Sequence, residues 1–538
     1  MSNQLALGLD FGTESVRAVL VDLSGDERAA ASMNYPHGQI TKTLPGSDQA
    51  LEPLFAFQHP GDWIASSAQA VRSAMQQAGA TADDIVGIGV DFTSCTMLPA
   101  LRDGTPLCMA DGFADRPMAW PKLWKHHGAQ KQTDRINEVA RQRKEAWLDR
   151  YGGIVGLEWF FPKIYETLER DQAVYDAAEV WVEGGDWLVW QLVGGEADDL
   201  PRSTCQAGYK AMWSAEDGYP SRDFLAAVDA RLADVAETKM PGRMVAPGQQ
   251  AGGLCAAMAE AFGLREGTPV SAAIIDAHAG VPGVGAGDAG ALVMVMGTSS
   301  CHMLNAVEQK AAPGVAGIVR DGILPGYYGY ETGQAAVGDA FDWIRRMLGV
   351  DDFAKLDEAA AAIEPGSDGV TCVDWFNGCR TPLMDGALRG GYTGLSLHHG
   401  PAHVYRATLE ASAYGVRWIV ELLREHGVPV DRFVATGGLP HHNPLLVQIY
   451  ADVLGAPIEI PNTTQGPALG AAILGAIAAG PDATGFADSA VAVAAMTARI
   501  TGEHARIVQP DMARHADYET HYTRYRRTAA MLQRDTEG

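Results

Sequence analysis

Two short turns and one isolated acid carry the chemistry this sequence offers first. In Asp10-Phe-Gly-Thr-Glu-Ser15, Gly12 permits positive φ and close approach of backbone N–H groups to a phosphate. Thr13 and Ser15 add hydroxyl donors, and Asp10 can hold a hydrated Mg²⁺. The segment Gly297-Thr-Ser299 repeats the glycine and hydroxyl pattern. Between the two turns stands Asp276, after the apolar run Pro269–Ile275 and before the small residues Ala277, Ala279 and Gly280. There its carboxylate can face a cleft with room for a substrate hydroxyl, the placement a general base needs. Plainer readings exist. Gly-Thr turns occur in ordinary hairpins, and a strand-end Asp can cap a helix, an interaction worth about 1 kcal/mol.

The elements that position these residues follow from periodicity. Leu5, Leu7 and Leu9 alternate with Ala6 and Gly8, and apolar residues resume from Val16 to Val21, so two strands flank the first turn. Ala291–Met303 reads as a second hairpin about Gly297. Farther on, Ala407, Leu409, Ala413, Val416, Ile419, Val420 and Leu423 have helical spacing that stops at Gly427. Arg432–Gly438 then reads as a strand delivering a glycine pair, Asn443–Leu454 as a helix, Pro457–Ile460 as a strand and Gly466–Ala479 as a small-residue helix. Such a helix can pack close to its neighbours and present its first turn to a ligand. The tail from about Ala487 reads as an amphipathic helix.

A chain of 538 residues is too long for one core and predicts two large domains, placed at 1–270 and 271–538 because a Pro- and Gly-rich stretch, Thr238–Gly253, and a short helix precede residue 270. Its 47% hydrophobic and 20% charged residues are those of a globular protein. A net charge of −25 argues against nucleic acid as a partner. No basic segment followed by an apolar run opens the chain, and no stretch reaches the roughly 18 apolar residues of a membrane span, so no membrane partner and a cytoplasmic location are expected. The seven cysteines form no CxxC pair and suit a reducing compartment. Histidine doublets at His126-His127, His398-His399 and His441-His442 are set aside as zinc sites, because adjacent side chains diverge and no HExxH occurs.

Taken in order, the turn at Asp10, the acid Asp276, the turn at Gly297, the pair Gly437-Gly438 and the glycine-rich helix at Gly466 resemble the FGGY carbohydrate kinases over nearly the whole chain. Gly394–Gly400, Tyr405–Arg417 and Phe160–Ile164 are also similar to segments of that family. The resemblance implies an α/β fold of two ribonuclease-H-like lobes, of the actin-like ATPase superfamily, around a central cleft. It implies ATP as phosphoryl donor, Mg²⁺ as metal with Asp10 as its carboxylate, and Asp276 as catalytic base. Thr13 from one lobe and Gly297, Thr298 and Ser299 from the other would hold the phosphates. Gly437, Gly438, Asn443 and the Gly466–Gly470 segment would receive the nucleoside, although a glycine pair also makes a plain turn and Asn443 can simply cap its helix.

Several phrases are similar to the ketopentose-phosphorylating branch of the family: Gly8–Ala18, Gly87–Asp91, Leu123–His127, Tyr151–Ile154 with Glu158-Trp159, Tyr330–Gln334 with Gly338-Asp339, and Val373–Gly378 with Arg380–Pro382. They imply a small-molecule pentulose as substrate, L-ribulose first, contacted by Ser94, Lys210, Asp276 and Glu331; a homodimer is left open. A lysine donor and a glutamate acceptor fixed in a cleft can discriminate stereoisomers by leaving wrong hydroxyls unpaired. In place of the family's common Trp-x-Asp-x-Arg segment stands Trp120-Pro-Lys-Leu-Trp-Lys-His126, which disfavours xylulose and glycerol and puts His126 where this branch carries an acid. The alternatives are a kinase for D-ribulose or another ketopentose and, in a different class, an actin-like ATPase switch without a sugar.

Overall fold

The computed structural model describes residues 4–536. The leucine alternation produces β1 (Leu5–Phe11), which turns at Gly12 into antiparallel β2 (Ser15–Asp22), followed by β3 (Glu27–Asn34). Helix α1 (Pro60–Ala78) leads to β4 (Ile85–Phe92), parallel to β1. Every residue of β4 is buried, which is why it reads as a continuous apolar run rather than an alternation. A long insertion carries α2 (Phe160–Arg170) and α3 (Thr204–Lys210) around an aromatic core that includes Trp120, Trp147, Trp159 and Trp181. The chain then returns as β5 (Gln250–Gly253), β6 (Pro269–Ser271) and β7 (Ile274–Ile275), giving the order β3-β2-β1-β4-β6-β5 with β7 also on β4.

Helix α4 (Asp276–Gly283) crosses to a second sheet built from β8 (Ala291–Met296), β9 (Ser300–Ala306), β10 (Gly317–Arg320) and β11 (Tyr328–Gln334). Beyond the long helix α5 (Pro401–Glu425) come β12 (Arg432–Thr436), α6 (Gly438–His442), α7 (Pro444–Leu454), β13 (Ile458–Ile460) and α8 (Gly466–Ala479). The tail is not wholly helical: β14 (Arg506–Val508) adds an edge strand before α9 (Met512–Thr536). The second sheet runs β10-β11-β9-β8-β12-β13-β14.

With edge strands β5, β10 and β14 set aside, β3-β2-β1-β4-β6 and β11-β9-β8-β12-β13 are one arrangement used twice. The first two neighbour pairs are antiparallel and the last two parallel in both sheets. The expected pair of ribonuclease-H-like lobes is therefore present. One expectation is corrected: the strand thought to open the second half belongs to the first sheet, because β6 and β7 pair in parallel with β4. The first lobe therefore extends to Ile275, and Asp276 follows directly from it.

The lobes are joined by helix packing as well as by the chain. Helix α8 follows the second sheet in sequence yet lies on the first, over a strand face cleared by glycine; a Cβ on Gly89 would sit 1.7 Å from the Ala471 carbonyl oxygen. Helices α4 and α8 approach equally closely, since a Cβ on Gly470 would lie 1.8 Å from the Ala279 oxygen. The small residues of α8 thus serve this double contact. Around it Val19, Ile275, Val293, Val434 and Leu474 form a core shared by both lobes. Among the described residues no single helix is long and apolar enough to cross a membrane.

Candidate active site

Three parallel strands of the first lobe end side by side and bring three carboxyl groups together. Asp10 of β1 is in register with Asp91 of β4, and Asp91 is in register with Ile274 of β7, two residues before Asp276. Asp91 was quoted in the sequence without a role, although it ends its strand just as Asp10 does. It is fully buried, among the described residues neither of its oxygens has a well-aligned hydrogen bond, and burial, reinforced by the charges of Asp10 and Asp276 and by the close Asp10 carboxyl, pushes its pKa well up. Burial also raises Asp10, and the Asp91 carboxyl beside it, with Arg17 3.5 Å from its Oδ2, offsets this only in part. This oxygen-only donor set, with an orphaned buried carboxyl beside Asp10, fits a hard divalent cation such as Mg²⁺.

Asp276 opens the first turn of α4, and its Oδ1 accepts the Ala277 N–H at 2.7 Å. Burial pushes its carboxyl up to about 7, with Asp10 adding to the rise while the Ala277 N–H and Lys210 oppose it. A carboxyl poised there exchanges a proton readily near neutral pH. It lies on the wall of a cavity of about 320 Å³, the low end of the roughly 300–1,000 Å³ range of small-molecule sites. All four expected sugar contacts, Ser94, Lys210, Asp276 and Glu331, line this cavity, as does Ser299 of the second phosphate turn.

Lys210, at the end of α3, and Glu331, on β11, are bound to each other rather than free: Nζ donates to Oε2 at 2.9 Å and to Oε1 at 3.2 Å. Arg380 also pairs with Glu331. Burial alone would raise the Glu331 carboxyl, but Lys210, His278 and Arg380 outweigh it and hold the group well below the usual carboxylate range. The cavity thus presents a fixed row of charges, in which an ionised acceptor is shared between cationic donors. Ser94 Oγ shares a weak hydrogen bond with Cys95 Sγ at 3.3 Å, which a stronger oxygen partner can replace. Glu158, Trp124, His278 and Arg380 also line the wall. Glu158, Trp124 and Arg380 stood in quoted phrases without a role, and His278 carried no signal in the sequence beyond lying near Asp276.

Each turn is closed by its glycine N–H, though over different spans: Gly12 N–H donates to Ser15 O, three residues on, at 3.0 Å, and Gly297 N–H to Ser299 O, two residues on, at 2.9 Å. Trp124 Nε1 donates to the Thr13 hydroxyl at 3.1 Å, tying the first turn to the sugar cavity. The second turn is braced by the N–H groups of Gly338 and Asp339, which donate to the carbonyls of Gly297 and Thr298 at 3.0 and 3.1 Å. Thr298 is exposed, and Gly12, Thr13, Gly297 and Ser299 are half-buried, as groups awaiting a ligand should be.

The expected nucleoside contacts divide. Gly437 has φ +92°, and a Cβ there would lie 2.5 Å from the Met296 oxygen, so the end of β12 rests against the start of the second phosphate turn. A Cβ on Gly438 would meet nothing within 4 Å, leaving open space beside it. Asn443 takes its plainer reading: Oδ1 accepts Leu446 N–H at 2.9 Å to cap α7, and Nδ2 donates to Asp357 at 3.0 Å and to the Tyr405 hydroxyl at 3.3 Å. It shapes the loop after Gly438 and has no side-chain group to spare. Gly466 is buried and Gly470 is pressed on α4, so both serve helix packing.

His126, His398 and His399 are all hydrogen-bonded. His126 is buried behind the cavity, with Nε2 2.8 Å from Glu166 Oε2, which also accepts from Lys122 at 2.8 Å. Burial takes its pKa down to about 4, so it stands neutral in a structural network and does not line the cavity. The argument that adjacent histidines diverge fails at His398 and His399, whose rings lie 4.1 Å apart and both reach Asp368. Their other ring nitrogens bond Ser396, so a hydrogen-bonded loop accounts for both.

The N-terminal domain of the FGGY family of carbohydrate kinases matches residues 5–283, and the C-terminal domain of the same family matches residues 292–479. A protein of Anoxybacillus flavithermus named Ribulokinase is 44% identical over 97% of this chain and 94% of its own length. A Ribulokinase of Mycolicibacterium smegmatis is 45% identical over 88% of this chain and 86% of its own. Among solved structures, the xylulose kinase from Rhodospirillum rubrum covers 99% of this chain and 100% of its own, with TM-score 0.81 and 25% identity. Glycerol kinase of Plasmodium falciparum, solved with ADP, shares the fold alone, at TM-score 0.74, 16% identity and 97% coverage of both chains. With both domain matches joined by a full-length likeness and by two lobes that meet at the Asp276 cavity, the chain belongs to the FGGY family of carbohydrate kinases.

Proposed function

We propose that the protein transfers the γ-phosphoryl group of ATP to the C5 hydroxyl of L-ribulose, giving ADP and L-ribulose 5-phosphate. The observation that carries this reading is the placement of Asp276, with its pKa near 7, in one small cavity with the Lys210–Glu331 pair and with Ser299 of a phosphate turn. Relatives named Ribulokinase at 44% and 45% identity support the choice of sugar.

In this reading Ser94, Lys210 and Glu331 fix the ketopentose so that its C5 hydroxyl points at Asp276. The Asp276 carboxylate orients that hydroxyl and accepts its proton as the oxygen attacks the γ-phosphorus. Backbone and hydroxyl donors at Gly12, Thr13, Gly297, Thr298 and Ser299 grip the phosphates from the two lobes, and Gly437 and Gly438 let the nucleoside lie against bare backbone. Asp10 would hold Mg²⁺, which would supply positive charge to the phosphates. Sugar binding draws the lobes together and excludes water, which competes for the γ-phosphate.

An ADP-release assay over L-ribulose, D-ribulose, both xyluloses, ribitol and glycerol, with the product identified by phosphorus NMR, tests the reading. L-ribulose should give the highest kcat/KM and a 5-phosphate in step with ADP. A preference for glycerol would overturn the sugar assignment, and ADP release without any sugar phosphate would favour an ATPase switch instead.

A further inference from the structure

His278 sits in α4 two residues beyond Asp276, is only 2% exposed, and lines the same cavity. Among the described residues neither of its ring nitrogens has a well-aligned hydrogen bond. Its Nε2 has a long contact, 3.4 Å, with Oε2 of Glu331, which helps keep that carboxylate ionised, but the carboxylate is already taken by Lys210 and Arg380. On another side the ring packs against Tyr209 at 4.3 Å between centroids, which fixes its plane and supplies no polar partner. Burial lowers its pKa, and Lys210 and Arg380 oppose the pull of Glu331 toward protonation, so the imidazole is neutral and offers one donor and one acceptor. Buried polar groups are almost always paired in native proteins, and one left open on a cavity wall marks a place that a ligand fills. Asp276 already serves the reacting hydroxyl, and the Glu331 side of the ring lies toward the charge row that would hold the rest of the sugar.

We propose that His278 is a sugar-recognition residue whose ring nitrogens hydrogen-bond a ketopentose hydroxyl other than the one phosphorylated. This rests on the kinase reading above and adds a specificity-determining contact to it. The contact would reject analogues lacking that hydroxyl, because the imidazole would then stay buried and unpaired.

The test is a cycle between the protein and its substrate. His278→Phe, which keeps the aromatic contact with Tyr209, should lower kcat/KM for L-ribulose by about 10- to 100-fold, mostly through KM, with KM for ATP unchanged. The wild type and the variant are then compared on 1-deoxy, 3-deoxy and 4-deoxy ketopentoses. For one of these the wild type should lose about as much as the substitution costs, while the variant loses nothing further. If every deoxysugar carries the same penalty in the variant as in the wild type, His278 only supports Glu331 and the proposal fails; normal kcat/KM in the variant overturns it too. Should His278→Phe not fold, His278→Asn serves in the same cycle. A wild type that phosphorylates no ketopentose defeats the kinase reading and this one with it, whereas an active wild type with additive losses defeats this one alone.

Discussion

The same sheet occurs twice in this protein, yet the two copies end in opposite chemistry. In the first lobe the register pair at the end of the first and fourth strands is Asp10 with Asp91; in the second lobe the corresponding pair is Val295 with Thr436. Both pairs lie beneath a glycine turn that closes on itself at nearly the same distance. The copy with carboxylates can hold a cation and take a proton from an acceptor hydroxyl. The neutral copy can accept phosphates and a nucleoside against backbone donors without like-charge repulsion. What the duplication teaches is that the fold supplies two equivalent glycine turns, and in the proposed reading a few strand-end side chains decide which lobe does the acid–base and metal chemistry.

The comparison breaks most directly at the acidic end. Asp276→Asn should lower turnover by about 10²–10⁴-fold while leaving ATP binding intact, as measured by steady-state kinetics beside calorimetric titration. The variant should melt no lower than the wild type at pH 8. The sign follows from the raised pKa: folding favours the protonated acid, so the stability it contributes is complete below the ordinary value of 3.8 and is lost as pH rises through about 7. Asparagine cannot ionise and escapes that loss. For the wild type, kcat/KM should be level above about pH 8 and fall toward tenfold per unit well below 7, where the base is protonated. A flat profile between pH 5 and 8, or a fully active Asp276→Asn, would take the proton transfer away from this residue.

A smaller effect separates the metal side of the first lobe from its acceptor side. Among the described residues Asp91 has no well-aligned hydrogen bond, and it lies beside Asp10, so Asp91→Asn should raise the Mg²⁺ concentration for half-maximal activity by about 10- to 100-fold. KM for the sugar should stay within twofold to threefold, roughly the scatter of independent sites. An unchanged Mg²⁺ requirement would make Asp91 a packing residue, and the two lobes would then differ by Asp10 alone.

Asp91 also shows where sequence reading stopped. The hairpins, the helix that became Pro401–Glu425 and the strand before Gly437 were legible because alternation, 3.6-residue spacing and glycine punctuation are local. The pairing of β6 and β7 with β4 is not local, and so the end of the first lobe was placed at 270 rather than after Ile275. Asp91 needed the same pairing to be seen beside Asp10. Lys210 and Glu331 were found as types but not as partners, because 121 residues separate them. Asn443 had two sound readings, and the cap on Leu446 is visible only in the folded loop. His278 belongs to no short pattern; its interest comes from being buried without a well-aligned bond, a property that exists only once the cavity does.

The neutral lobe should respond in a different parameter and by less. Gly437 has φ +92°, and a side chain there would press on the Met296 oxygen at the start of the second phosphate turn. Gly437→Ala therefore places an L-residue in a strained conformation, at a cost of roughly 1–3 kcal/mol, and displaces the turn that carries Gly297, Thr298 and Ser299. KM for ATP should rise by about 5- to 10-fold, the change expected for roughly 1 kcal/mol of lost nucleotide binding. Turnover at saturating ATP should be nearly kept, because Asp276 and the proposed sugar contacts lie on other elements. The urea midpoint should fall with an unchanged m-value, separating lost stability from a loosened fold. Were the substitution to lower turnover as Asp276→Asn does, with KM for ATP unmoved, the division of labour between the lobes would not hold, since strain at the neutral end would then be reaching the proton transfer directly.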